Sequence, residues 1–236
     1  MTYLIGGHET TSSALRWGIS YLSSDQRVQA RLREALDQAH PQARAEKRLP
    51  SLEEIIQARV PYLDAVVEEV LRHSRPLAMC MREAQTDTQI LGAHIPKGTT
   101  VVFLANGPSV FTPRIQFDES RQSEWATSRR EKHPVNDEID IGAFSPERWL
   151  RVEKHEDGTE ETVFDANLFP IQAFGLGPRA CFGRRLAYRE MKIFFTLITW
   201  KFELLSLPDA LAVPKEVFSL TRNPKEVYVK LRSRVY

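Results

Sequence analysis

The chain has 236 residues, 42% of them hydrophobic, and a formal charge of +1 at pH 7. It is long and apolar enough for a sizeable core and carries no excess of positive charge to suit a nucleic-acid partner. Two cysteines exclude a disulfide framework and suit a reducing compartment, with Cys80 expected as a buried packing residue. No stretch is apolar enough to span a membrane, and Met1 to Ile5 is too short for the hydrophobic core of a signal peptide.

The first predicted element is a helix whose apolar positions include Leu15, Trp17, Ile19 and Leu22. GGHETT at 6–11 is costly sequence for it. Each glycine costs about 1 kcal/mol relative to alanine, and the run Thr10 to Ser13 adds several tenths more per residue. A helix bearing that penalty is expected to use the missing side chains to admit something. Ser24 is expected to cap an amphipathic helix through Val28, Leu32 and Leu36, and Ser51 to cap one beginning at Leu52 and Glu53. In the next helix Leu63, Val66, Val67, Val70 and Leu71 define the buried stripe, which puts Glu69 and Arg72 on the opposite face. Their i, i+3 spacing reads as an exposed ion pair contributing a few tenths of a kcal/mol, on the order of other surface pairs.

Gln89 to Leu91 and Thr99 to Leu104, around Gly92 and the Pro96, Lys97, Gly98 turn, read as a hairpin. Residues 117 to 140 are polar and read as a solvated loop, with EKHEDGTEE at 153 to 161 as a second. After the Asn223, Pro224 turn, alternation at Val227, Val229 and Leu231 predicts a strand paired with Phe218 to Thr221.

FGLGPRACFG at 174–183 carries the most chemistry. Gly175 and Gly177 let backbone approach a flat ligand, Pro178 stiffens the turn, and a helix through Leu186, Met191 and Phe195 follows. Cys181 therefore falls at or near a helix N-terminus, where the dipole and nearby arginines favour a thiolate able to hold a metal. The alternative is a cysteine serving as a small buried hydrophobe.

Phe174, Gly177, Arg179, Cys181, Gly183 and Ala187 match F-x-x-G-x-R-x-C-x-G-x-x-x-A, and the loop resembles the haem-binding motif of the cytochrome P-450 family. The resemblance implies haem b with Cys181 as axial thiolate to the iron and Arg179 pairing with a propionate. GGHETT resembles the family's oxygen-binding helix, which would make Gly6 and Gly7 a groove for dioxygen, Thr10 its hydrogen-bond donor and Glu9 part of the proton supply. His8 fills a variable position and receives no role, and with no second histidine the segment is not a zinc motif. By the same resemblance, Glu69 and Arg72 form a triad with Arg148 of the Pro146 to Trp149 segment, locking the Cys181 segment against the helix. Arg82 corresponds to an arginine near the propionates.

The resemblance covers residues 1–236 as a C-terminal haem-binding region. It implies a mainly α fold with small β-sheets, the incomplete C-terminal half of the cytochrome P-450 fold. The implied activity is monooxygenation of a small hydrophobic organic substrate, with dioxygen and electrons from an NADPH-dependent cytochrome P-450 reductase. Leu77 to Met81 and Phe218 to Thr221 would line the substrate space. The character is similar to fungal members in secondary metabolism. A full-length parent is expected at the endoplasmic reticulum membrane and the chain as given in the cytoplasm. The alternative function class is a truncated fragment without catalytic competence.

Overall fold

A computed structural model describes residues 2–90, 92–104, 123–124, 127–128, 131, 140–169, 171, 173–219 and 221–234. The helices are α1 (Thr2–Ser24), α2 (Gln26–Ala39), α3 (Pro41–Ala45), α4 (Leu52–Gln57), α5 (Pro61–Ser74), α6 (Arg184–Lys201) and the short α7 (Asp209–Ala212). The strands are β1 (Met79–Glu83), β2 (Thr88–Ile90), β3 (Ala93–Ile95), β4 (Thr100–Leu104), β5 (Leu150–Lys154) and β6 (Glu160–Phe164), then β7 (Phe202–Leu205), β8 (Glu216–Phe218), β9 (Arg222–Pro224) and β10 (Lys230–Ser233). Single 3-10 turns cover Pro146–Trp149 and Gly177–Arg179. This is the expected mainly α fold with small sheets, each of two antiparallel strands. No described helix is long and apolar enough to cross a membrane.

One core joins the four longest helices. Ala14 and Leu22 of α1, Val28, Leu32 and Leu36 of α2, Val66, Val67 and Val70 of α5, and Met191 and Phe195 of α6 meet there, with Leu204 of β7. The helical periods read from the sequence supply these faces. Asp25, rather than Ser24, caps α2: α1 runs through Ser24, and the Asp25 carboxylate accepts from Val28 N at 2.9 Å. Ser51 makes the expected cap, completed as a capping box by Glu54, whose carboxylate accepts from Ser51 N at 2.6 Å.

Strand pairing departs from the sequence reading in three places. β2 pairs with β3 across Gly92, at φ 81°, while β4 returns to β1, placing Cys80 opposite Phe103. Every residue of β1 is exposed, so Cys80 is not a buried packing residue. The segment after Asn223 does not pair with Phe218 to Thr221. β8 closes on β9, and β10 instead takes the edge of β7, Leu231 opposite the fully buried Leu204. EKHEDGTEE is not a loop but the turn and flanks of the β5–β6 hairpin. Gly158 takes φ 82° at its tip, and Lys154 and Glu160 pair across it at 3.0 Å. The reading of 117–140 as a solvated loop falls almost wholly outside the described residues.

At Gly18, α1 lies directly against Phe195 of α6. A Cβ there would lie 2.3 Å from Phe195 Cζ and 3.2 Å from Val70 Cγ1, against a ring with no exposed surface. Gly18→Ala should therefore lower stability by about 1 to 3 kcal/mol despite improving helix propensity. Thermal denaturation checks this, and an unchanged midpoint would mean that the ring yields freely.

Candidate functional site

The cysteine loop owes its shape to its glycines. Gly175 and Gly177 sit at φ 67° and 69°, the left-handed region where a side chain is strained. The chain then doubles back so that Cys181 N donates to Phe174 O at 2.8 Å. Cys181 is free and exposed, three residues before the first residue of α6. The reading of this cysteine as a buried hydrophobe therefore fails. Leu176 and Phe182 flank it at 62% and 90% exposure, and a Cβ on Gly183 would stand 3.8 Å from the sulfur. Cys181 is thus exposed in a loop whose Leu176, Arg179 and Phe182 are exposed as well.

Behind the loop, the helical wheel misplaces Glu69 and Arg72. Residues Ala65 to Ser74 of α5 are all buried, because residues 140–149 cover the face the wheel assigned to water. Glu69 Oε1 accepts from Arg72 Nη2 at 2.8 Å, Ser145 N at 2.8 Å and Arg148 Nε at 3.0 Å. Its Oε2 accepts from Arg72 Nε at 2.9 Å and the Trp149 indole at 2.9 Å. The expected Glu69, Arg72, Arg148 association is therefore present and desolvated. Arg72 and Arg148 also donate to the Ala143 carbonyl, at 2.9 and 3.0 Å. His73, with no role in the sequence reading, stands 3.4 Å from Glu69, and burial holds its imidazole below the usual range. Trp149 and Ser145 were also missed. Nothing in their local sequence signals a bond to a residue some eighty positions earlier.

On α1, Gly6 and Gly7 are exposed, and a Cβ on either would meet nothing within 4 Å. The fold itself does not need glycine there. The Thr10 hydroxyl, expected as a hydrogen-bond donor to dioxygen, instead donates to Gly6 O at 2.6 Å. Glu9 turns to the β8–β9 hairpin, its Oε1 accepting from Asn223 Nδ2 at 2.9 Å and Thr221 Oγ1 at 3.2 Å. That link spans most of the chain and had no local sequence signal. Arg82 is exposed on β1 and donates to the neighbouring Met81 O at 2.8 Å. Among the described residues, no group of histidine, cysteine and acidic side chains is arranged to hold a metal ion.

Residues 1–109 and 142–231 match the family model for cytochrome P-450. The chain belongs to the cytochrome P-450 family. It is 45% identical over 237 residues, 97% of this chain, to the cytochrome P-450 monooxygenase TRI13 of Fusarium sporotrichioides, and spans 40% of that protein. It is 39% identical over 243 residues to the Hps1-dma1 cluster cytochrome P-450 monooxygenase cyp3.1 of Dothistroma septosporum, covering 99% of this chain and 77% of that one. A solved cytochrome P-450, CYP102L1, shares the fold at a TM-score of 0.70 and 24% identity, over 99% of this chain and 44% of its own. The family's cofactor is haem bound through a cysteine thiolate. The donor this chain offers fits it: Cys181 is a free, exposed thiol on a glycine-shaped loop directly before α6.

Burial alone would raise the Glu69 carboxyl, but hydrogen bonds from Arg72 and His73 and the charges of Arg72 and Arg148 outweigh it, holding the group at about 2 against 4.5 when exposed. A carboxylate depressed in this way contributes its full stability above the unfolded value and loses it as pH falls through the folded one. The cytochrome P-450 chain should therefore lose thermal stability between pH 4.5 and 2. Glu147 is held at about 2 as well, burial opposed mainly by the Arg27 hydrogen bond, and adds to the same limb. Glu69→Gln should cost about 3 to 5 kcal/mol at neutral pH, because it strands buried arginines, and should shallow the acid limb. Thermal midpoints of both proteins from pH 7 to pH 2 check this.

Proposed function

We propose that residues 1–236 are the C-terminal haem-binding region of a haem-thiolate monooxygenase that inserts one atom of dioxygen into a small hydrophobic organic substrate. The observation that carries this reading is the free Cys181 thiol, exposed on a loop whose two left-handed glycines present it directly before α6. When bound, haem b supplies a redox-active iron at which dioxygen is reduced with two electrons and two protons.

The chain's own residues supply position and protons. Cys181 is the thiolate ligand, its amide fixed by Phe174 O while Gly177 and Gly183 keep the loop thin. Arg179 and Arg82 are the exposed cations offered to the propionates. Gly6 and Gly7 would leave open space for dioxygen, and the Thr10 hydroxyl, which donates to Gly6 O, would have to release that bond to donate to it. Glu9 holds a proton-exchanging carboxyl at a position set by Asn223 and Thr221. The triad of Glu69, Arg72 and Arg148 braces the fold behind the loop.

Electrons come in this reading from an NADPH-dependent cytochrome P-450 reductase, with a longer parent at the endoplasmic reticulum membrane. The fungal relatives and the cluster named for one of them favour a substrate of secondary metabolism. A second reading applies to residues 1–236 expressed alone. Leu104 and Val213 are 74% and 78% exposed, apolar surface left open among the described residues, and haem uptake by the isolated chain is expected below one per chain.

The test is the ligand. In a haem-loaded protein carrying this chain, Cys181→Ser should abolish the red-shifted Soret band of the ferrous carbonyl, and Cys80→Ser should leave it intact. A normal band in the Cys181→Ser protein would refute the assignment.

A further inference from the structure

Glu69 is not the only buried acid of its helix. Its neighbour Glu68 is 2% exposed, and consecutive residues of a helix point about 100° apart. Glu69 faces the covering segment 140–149, whereas Glu68 faces α6. There Glu68 Oε1 accepts from the hydroxyl of Tyr188, while its Oε2 has no hydrogen-bond partner among the described residues. Burial pushes the Glu68 carboxyl up and, with the Glu68 charge beside it, the Tyr188 phenol up as well. Packing alone does not require an acid here, since a valine or leucine would fill a buried helix position without desolvating a carboxyl.

Tyr188 lies one turn into α6, and its ring continues directly to the cysteine loop. It packs tilted on Phe174 with centroids 5.2 Å apart. The Arg184 guanidinium lies over both rings, 5.5 Å from Tyr188 and 5.9 Å from Phe174. Phe174 O in turn accepts from Cys181 N at 2.8 Å. From α5 to the thiol the sequence of contacts is therefore Glu68 carboxylate, Tyr188 hydroxyl, Tyr188 ring, Phe174 ring, Phe174 carbonyl and Cys181 amide. A rigid aromatic ring transmits the position of its hydroxyl end to its packed face.

We propose that Glu68 and Tyr188 are positioning residues for the Cys181 ligand, the buried carboxylate fixing the tyrosine ring that buttresses Phe174 and so holds the cysteine amide in place. This rests on the haem-thiolate reading above. Adjacent acids of α5 then serve opposite sides: Glu69 secures the covering segment and Glu68 secures the loop.

The hydroxyl can be removed without removing the ring. In a haem-loaded protein carrying this chain, Tyr188→Phe should keep haem content near that of the parent while lowering the thermal midpoint, because the buried Glu68 carboxyl loses its hydrogen-bond donor. The fraction of ferrous carbonyl lacking the red-shifted band should rise roughly tenfold, as loss of a hydrogen bond to a charged acceptor implies. Glu68→Leu should do the same, whereas Glu68→Gln, whose amide oxygen still accepts from Tyr188, should retain the parent spectrum. The Lys192 to Asp64 bridge, 2.8 Å long between the same two helices, is the structural control: Lys192→Ala should leave the spectrum unchanged. A parent-like carbonyl spectrum in both Tyr188→Phe and Glu68→Leu would overturn the proposal, as would an equal rise in Lys192→Ala. If Tyr188→Phe fails to take up haem, the Glu68→Leu and Glu68→Gln pair decides. A red-shifted band persisting in Cys181→Ser would instead overturn the underlying haem-thiolate reading.

Discussion

The carboxylate of Glu69 is the group on which most of the described structure converges. Removing an ionised carboxylate from water costs several kcal/mol, on the order of what a whole secondary element contributes, unless its oxygens are fully hydrogen-bonded. Here they are, by donors from α5 itself and from the Ser145 to Trp149 segment. That segment has little regular structure of its own beyond one 3-10 turn. Its path is set by three of its donors, the Ser145 amide, the Arg148 guanidinium and the Trp149 indole, reaching one acceptor. The next acid along extends the arrangement outward, with Glu147 accepting from Arg27 at 2.7 Å and Arg31 at 2.8 Å of α2 and from Tyr62 at 3.1 Å of α5. Because each added donor stabilises the charge the others also need, such a network forms as a unit.

α5 is consequently the frame to which both α1 and α6 are tied. At its C-terminal end Arg222 of β9 donates to the His73 and Ser74 carbonyls at 2.7 and 2.8 Å, satisfying acceptors the helix leaves open. The same guanidinium lies 4.5 Å from the Trp17 ring of α1. Ser13 of α1 donates to Arg222 O at 2.6 Å, and Glu9 is held by the two neighbours of Arg222 in β9's hairpin. α1 is thus tied to α5 through β9, and the cysteine loop is tied to it through α6. In the proposed reading the Cys181 thiolate and the Glu9 and Thr10 pair are therefore both referred to one helix.

Local chemistry was readable in the sequence wherever a residue acts on its near neighbours. The Ser51 cap, the position of Cys181 ahead of a helix and the apolar faces of α2 and α5 all follow from spacing. What the sequence did not disclose is long range. A helical wheel sees that Glu69 lies off the apolar stripe but not that another segment will cover it, and the family motif, not periodicity, supplied the correct association. Strand partners failed for the same reason. Val227 to Leu231 alternates as a strand should, but its partner was decided by the free edge beside buried Leu204, not by the nearest turn. Cys80 was expected inside from residue type alone, yet it lies on a strand exposed along its whole length. Asn223 and Tyr188 carried no signal, because each matters only through a partner more than a hundred residues away.

Hydrogen exchange in the folded protein tests the central claim most directly, with the Ser145 amide and the Trp149 indole N–H as probes. If the Glu69 carboxylate organises the fold as one cooperative unit, both should exchange as slowly as the amides in the middle of α5, and all should open together. Exchange at Ser145 and Trp149 as fast as at the exposed β5–β6 turn, with α5 still protected, would show that the covering segment opens independently and contradict it.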